Sequence, residues 1–161
     1  MSGTQVYIGL GANLGDRGVT LRQAVADMAQ LPHTRLLAVS SFYSSAPVDA
    51  NGPDYLNAVA ALETWLTPQI LLTHLQSLEL AAGRLRPYPN APRTLDLDIL
   101  LWGDMCLNTP TLTVPHPRMW QRAFVLYPLA QLAPQRVNAA MLAAVADQPI
   151  TIKPSEVLPD R

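Results

Sequence analysis

Two aspartates two residues apart, Asp96 and Asp98, stand in the run Arg93-Thr94-Leu95-Asp96-Leu97-Asp98-Ile99-Leu100-Leu101. On a strand such residues share one face, while Leu95, Leu97 and Ile99 enter the core. Adjacent carboxylates repel each other and raise each other's pKa unless a cation lies between them. Magnesium, bound by one or two carboxylates together with nucleotide phosphates, is the natural cation for such a pair. The polar edge of a half-buried strand gives the same pattern, so the pair alone leaves both readings open. A second signal lies close by. Of the 11 basic residues all but Lys153 are arginine, and Arg84, Arg86, Arg93, Arg118 and Arg122 fall in one stretch of the chain. The planar guanidinium fork matches phosphate oxygens; a solvated surface stripe is the bland alternative. No Gly-rich turn runs into Lys-Ser/Thr, which excludes a Walker-type phosphate loop.

His116 stands in Val114-Pro115-His116-Pro117-Arg118, where the prolines restrict the backbone and hold the imidazole in one direction. It could meet a phosphate there, or be an ordinary turn histidine. Tyr55 and Asn57 share a strand face in Pro53-Asp54-Tyr55-Leu56-Asn57. They could stack on and hydrogen-bond a planar heterocycle, although sheet-surface polarity looks the same. Phe124, two residues after Arg122, reads by itself as a core aromatic.

The elements that must position these groups alternate between strand and helix. Gln5–Leu10 reads as a first strand, stopped by Gly9 and Gly11. Leu21, Ala24, Val25 and Met28 mark one face of a helix ending before Pro32. Arg35–Tyr43 reads as a second strand, Ser44–Pro53 as a loop, and Tyr55 to about Glu63 as a third strand. Thr67-Pro68 is an N-cap followed by proline in the first turn. Leu71, Leu75, Leu78 and Ala82 then give a second helical stripe, closed by Gly83. Arg84–Arg93 is loop, since Pro87, Pro89 and Pro92 forbid regular structure. Thr94–Leu101 is the clearest strand, turned at Trp102-Gly103-Asp104, with short strands at Met105–Leu107 and Thr111–Val114 expected to pair near it. Val125–Leu132 and Ala139–Ala146 read as helices, the second capped by Asn138. From residue 148 to 161 an extended tail is expected. The order β-α-β-β-α-β predicts an α+β, ferredoxin-like sandwich with helices packed on an antiparallel-leaning sheet.

Composition narrows the classes. At 161 residues, 49% hydrophobic and 14% charged, the chain is expected to be one domain spanning 1–161, with a real core. A net charge of −1 argues against a nucleic-acid-coating or membrane-surface protein. The single cysteine, Cys106, excludes an intrachain disulfide framework and a Cys₄ zinc site. No apolar run reaches the ~20 residues of a membrane span. A soluble, cytoplasmic protein is expected.

Taken in order, Leu10-Gly11-Ala12-Asn13-Leu14-Gly15-Asp16, Ser40-Ser41-Phe42-Tyr43, Asp54-Tyr55-Leu56-Asn57, Pro92-Arg93-Thr94-Leu95-Asp96-Leu97-Asp98 and Val114-Pro115-His116-Pro117-Arg118 resemble the 6-hydroxymethyl-7,8-dihydropterin pyrophosphokinases of folate biosynthesis. The resemblance runs from about Val6 to Pro134. It implies transfer of the β,γ-pyrophosphoryl unit of ATP to the pterin hydroxymethyl group, releasing AMP. It also implies that Asp96 and Asp98 hold two Mg²⁺ ions, and that Arg84 and Arg93 join them as catalytic residues. By the same likeness ATP is met by Gln76, Glu79, Arg84, Arg86, Arg93, Ile99, Thr113, His116 and Arg122. The pterin is met by Ser45, Val48, Tyr55, Asn57 and Phe124. The implied partners are these two small molecules, in a monomer, with neither nucleic acid nor membrane. Ser45 and Ala46 stand where threonine and proline are frequent in the family, and Asn90 where a loop tryptophan occurs. Tyr88 is expected to replace part of that tryptophan's packing, with loop 84–93 as a lid. Two other classes fit the unaided residues: a different Mg²⁺-dependent transferase using Asp-x-Asp, and a non-catalytic ligand-sensing module.

Overall fold

A computed structural model describes residues 2–12, 16–45, 54–83 and 95–153. Strand β1 (Thr4–Ala12) leads to helix α1 (Arg17–Met28), strands β2 (Thr34–Val39), β3 (Phe42–Ser45) and β4 (Tyr55–Thr64), and helix α2 (Pro68–Gly83). Strands β5 (Asp96–Trp102), β6 (Leu107–Asn108) and β7 (Thr113–Val114) follow, then helices α3 (Ala123–Leu132) and α4 (Ala139–Ala144) and strand β8 (Ile150–Lys153). The main sheet runs β5-β1-β4-β3-β8, with β2 also on β4, and every pairing is antiparallel. With β2 and β3 as two halves of one strand, β1 through β5 is the expected β-α-β-β-α-β sandwich. Among the described residues no helix is long and apolar enough to cross a membrane.

Strand alternation gives the sheet two apolar faces. Val6, Ile8 and Leu10 of β1, with Leu56, Ala58, Ala60 and Leu62 of β4, pack against Leu21, Val25 and Met28 of α1 and Leu71 and Leu75 of α2. Tyr7, Val59 and Ala61 point the other way, onto Val125, Leu126 and Leu129 of α3. Strand β5 serves both faces through a bulge. Its pairing skips Leu100 between Ile99 and Leu101, so Leu97 and Ile99 face the α1/α2 side, as does Trp102 beyond the bulge. Leu100 and Leu101 join the α3 side. An extra residue in one strand shifts the side-chain phase in this way.

The caps match the sequence signals. Ile70 N–H donates to Thr67 Oγ1 at 3.3 Å, and Met141 N–H donates to Asn138 Oδ1 at 2.8 Å. Several boundaries differ from expectation. Gly9 and Gly11 do not stop β1, which runs on to Ala12 with both glycines inside it. The expected strand Arg35–Tyr43 is broken at Ser40 and Ser41. There Ser40 N–H donates to Val59 O at 2.9 Å, and Val59 N–H donates back to Ser40 Oγ at 2.9 Å. A hydroxyl replaces a backbone carbonyl in the ladder, so β2 and β3 pair with different halves of β4. Ala82, the last member of the α2 stripe, is exposed. The two short strands after Gly103 are shorter than the expected runs, and they pair with each other beside β5. In the expected tail, Ile150–Lys153 is extended but hydrogen-bonded to β3 as an edge strand.

Candidate active site

The candidate site residues of the strands lie on the face of the sheet that packs against α3, in phase with Tyr7 of β1 and Val59 of β4. Asp96 lies opposite Gly11, and Asp98 opposite Gly9. On the other side of β1, Gly11 lies opposite Asn57, and Asn57 opposite Tyr43. Directly opposed residues of antiparallel strands share a face, so Asp96, Gly11, Asn57 and Tyr43 form one row across four strands. Both aspartates are half-buried, and the alternating Leu95, Leu97 and Ile99 are buried in the core behind them, as the spacing predicts.

Asn57 is buried, and its Oδ1 accepts a hydrogen bond from buried Ser45 Oγ at 2.7 Å. A hydroxyl that donates to the amide oxygen leaves the amide nitrogen as the group turned outward along the row. Tyr55 is half-buried beside it. Tyr43, next in the row, is 8% exposed, and burial raises its phenol above the ordinary tyrosine pKa. The sequence reading assigned Tyr43 no role, because only the β3–β4 register brings it beside Asn57.

Glu79 reaches β5 from α2. Its Oε2 accepts the Leu97 backbone N–H at 2.7 Å, between the two aspartates. Strand β5 is the edge of the sheet, so this N–H has no strand partner and a carboxylate takes it instead. By the alternation of an antiparallel edge, Ile99 turns its backbone outward the same way, while its side chain is core. Gln76 lies exposed one helical turn before Glu79. Thr113 is half-buried in the β6–β7 hairpin and donates through Oγ1 to Asn108 Oδ1 at 3.2 Å.

His116 follows a cis Val114–Pro115 peptide, and its N–H donates to Leu100 O at 2.9 Å, which ties it to β5. Its Nδ1 accepts the Arg118 N–H at 3.2 Å, so the neutral ring carries its proton on Nε2. Burial lowers the pKa of His116; the Asp98 carboxylate opposes this, and Arg122 and Arg118 reinforce it. Arg122 stacks over the Phe124 ring, with Cζ 5.4 Å from the centroid. The pair is fixed from the far end of the chain. Gln148 Oε1 accepts the Ala123 N–H at 2.8 Å, and its Nε2 donates to Gln121 O at 2.8 Å. Gln148 falls at the start of the expected tail, and nothing local marks a glutamine as the clamp of a distant helix start. Val48, Arg84, Arg86, Arg93 and the whole of loop 84–93, Tyr88 included, lie outside the described residues.

Among the described residues no three His, Cys, Asp or Glu side chains gather to hold a metal. Two carboxylates on one face suit an ion that takes its remaining ligands from phosphate and water, which is how magnesium binds. They do not suit a closed zinc site. An α+β sandwich that sets a carboxylate pair, an imidazole and guanidinium groups on the same side as a buried amide fits one class: transferases that move a phosphoryl-type group onto a small planar substrate.

The comparisons name the family. Residues 7–134 match the model of the 7,8-dihydro-6-hydroxymethylpterin-pyrophosphokinase (HPPK) family, and the chain belongs to it. It is 51% identical over 131 residues to the 2-amino-4-hydroxy-6-hydroxymethyldihydropteridine pyrophosphokinase of Pseudomonas aeruginosa, covering 81% of each chain. It is 45% identical over 145 residues to the enzyme of that name from Haemophilus influenzae, covering 88% of this chain and 91% of that one. The fold resembles crystal structures of Plasmodium falciparum HPPK-DHPS. For a triple mutant with STZ-DHP the TM-score is 0.67 at 11% identity, over 91% of this chain and 43% of that one. For the wild type with SDX-DHP it is 0.61 at 12% identity, over 89% and 43%. This chain therefore spans less than half of those longer chains.

Proposed function

We propose how this chain carries out its family's reaction, transfer of pyrophosphate from ATP to 6-hydroxymethyl-7,8-dihydropterin in folate biosynthesis. Asn57 reads the edge of the heterocycle, its amide held by Ser45, while the Tyr55 and Phe124 rings cover its faces. Val48 contributes loop backbone to the same pocket. The observation that carries this reading is the row in which Asn57 and Asp96 stand on either side of Gly11. An amide suited to a heterocycle and a carboxylate suited to a cation then lie two strands apart.

Asp96 and Asp98 would hold Mg²⁺, two ions in this reading, which when bound supply charge neutralisation on the phosphates and on the attacking oxygen. The remaining steps belong to the protein's own groups. His116 offers its Nε2–H to a phosphate oxygen, and Arg122 offers its guanidinium while resting on Phe124. Arg84, Arg86 and Arg93 complete the phosphate contacts, with Arg84 and Arg93 in catalytic roles. Gln76, Glu79, Thr113 and the backbone of Ile99 line the nucleotide end, along the outer edge of β5. Phosphoryl transfer depends mainly on positioning and charge, and these groups supply both. We further propose that residues 1–161 act as one domain, as a monomer, in the cytoplasm where ATP is supplied, without nucleic acid or membrane.

The test is incubation with hydroxymethyl-dihydropterin, ATP and Mg²⁺, with nucleotides resolved by chromatography. AMP and pterin diphosphate are expected in equal amounts, with no turnover in EDTA. ADP or free pyrophosphate as the nucleotide-derived product would overturn the reaction, and full turnover in EDTA would overturn the metal assignment.

A further inference from the structure

We infer that Gln148 is a positioning residue for Arg122: its side-chain amide bridges the two peptide groups on either side of this arginine and fixes the direction of the guanidinium. The inference rests on the phosphate contact given to Arg122 under Proposed function and adds the residue that aims it. Gln148 lies outside residues 7–134, which match the family model. Arg122 needs such help. Among the described residues no hydrogen bond or ion pair holds its guanidinium, which rests on the Phe124 ring. Its aim therefore depends on its backbone, and that backbone is a junction. Arg122 is a single extended residue, φ −123° and ψ 114°, between the 3₁₀ turn Met119–Gln121 and α3. Arginine is not among the residues that favour a helix start, and Arg122 makes no side-chain cap there.

The hydrogen bonds around the junction explain why it stays extended. The Arg122 N–H turns back to Met119 O at 3.3 Å, and its C=O accepts the Val125 N–H at 3.1 Å and the Leu126 N–H at 3.0 Å. In an extended residue the preceding C=O and the following N–H both point to the other side. In a helical residue they point in opposite directions along the axis. Gln148 meets both at once: Oε1 accepts the Ala123 N–H at 2.8 Å, and Nε2 donates to Gln121 O at 2.8 Å. One planar amide, acceptor and donor together, takes this pair only while Arg122 is extended. Both groups stand where helical turns leave them open, the carbonyl at the end of the 3₁₀ turn and the N–H in the first turn of α3. Gln148 is itself anchored. Its N–H donates to Val145 O at 3.0 Å, Val145 is buried in the cluster behind α3, and Pro149 restricts the residue before it. The junction so held sets Arg122 where its charge acts on His116, the other described cationic or imidazole group proposed for the phosphates.

The test is calorimetry on the full chain, titrating a nonhydrolysable ATP analogue in saturating Mg²⁺ into Gln148→Ala, Arg122→Ala and the double variant, with melting curves in parallel. Gln148→Ala is expected to raise the analogue Kd about fivefold, the scale of a lost hydrogen bond. In the Arg122→Ala background the same substitution is expected to change Kd by less than about twofold, because the group it aims is gone. Equal losses in both backgrounds overturn the inference and leave Gln148 as a support of α3 alone. A wild-type Kd in Gln148→Ala, while Arg122→Ala loses the analogue, overturns it too and leaves the phosphate contact standing. No loss in Arg122→Ala removes the phosphate contact itself, and the inference with it. Should Gln148→Ala fail to fold, Gln148→Met keeps the length of the side chain without its amide. The same rise in Kd is expected there, and a wild-type Kd overturns the inference.

Discussion

At the scale of single residues the proposed site rests on the charge of Asp96 and Asp98, which share one face of β5. Asp96→Asn and Asp98→Asn remove that charge without changing shape. Each is expected to lower kcat by orders of magnitude, as loss of electrostatic stabilisation in a preorganised site does. The fold should survive, because both side chains are half-buried and neutral asparagine relieves carboxylate repulsion. Steady-state kinetics at saturating Mg²⁺ with a parallel melting curve checks this, and near-normal turnover in either variant would remove the two carboxylates from the chemistry. Ser45→Ala acts differently. It leaves buried Asn57 Oδ1 without its donor, a cost of roughly 1–3 kcal/mol for an unsatisfied group, and frees the amide to turn. Pterin Kd should rise severalfold with ATP Kd unchanged; equal shifts in both, read by calorimetry, would show that Ser45 does not orient Asn57. Residue types at this scale were largely legible in the sequence. Asp96, Asp98, Tyr55 and Asn57 sit at spacing two on strands, so their shared faces follow from the pleat. The places of Gly11 and Tyr43 in the cross-strand row were not legible, since they depend on which strand lies beside them.

At the scale of elements the carboxylates are held by an edge strand, and an edge strand has loose backbone groups. Glu79 answers one of them by accepting the Leu97 N–H. We propose that this makes it a positioning residue for Asp96 and Asp98, in addition to the nucleotide contact proposed for it above. Glu79→Ala is expected to raise the Mg²⁺ concentration needed for half-maximal activity, and Glu79→Gln, which keeps an acceptor oxygen, to restore most of it. A kcat loss with unchanged Mg²⁺ dependence in both variants would mean that Glu79 acts on the nucleotide alone. The α2 stripe could be read from Leu71, Leu75 and Leu78, and its cap from Thr67. The contact from Glu79 to a backbone N–H could not, because side-chain periodicity carries no information about unpaired main-chain groups. The break between β2 and β3 escaped for a related reason. Ser40 looks like any strand serine until its hydroxyl replaces a carbonyl opposite Val59.

At the scale of the whole molecule the sheet has two unlike edges. One, β5, carries the carboxylates; the other is covered by β8, whose Ile150 lies opposite Ser45 and whose Ile152 lies opposite Tyr43. The C-terminal segment thus backs the strand that orients Asn57, and its neighbour Gln148 clamps the start of α3, where Arg122 and Phe124 lie. The run Ile-Thr-Ile is β-prone, but Pro149 and Pro154 around it made a tail the simpler reading of the sequence. Its partner is more than a hundred residues away, beyond the reach of any local pattern. A chain ended after Lys153 keeps β8, whereas a chain ended after Pro149 loses it and uncovers β3. The longer truncation should match the full chain in melting temperature and pterin Kd. The shorter one should melt several degrees lower, given ~2–4 °C per kcal/mol for a chain of this size. It should also bind pterin more weakly while ATP binding, proposed for the opposite edge, holds. Scanning fluorimetry and calorimetry on the two truncations read β8 alone, because both lack residues 154–161. Identical melting and identical pterin affinity in the pair would mean that β8 covers β3 without supporting the pocket.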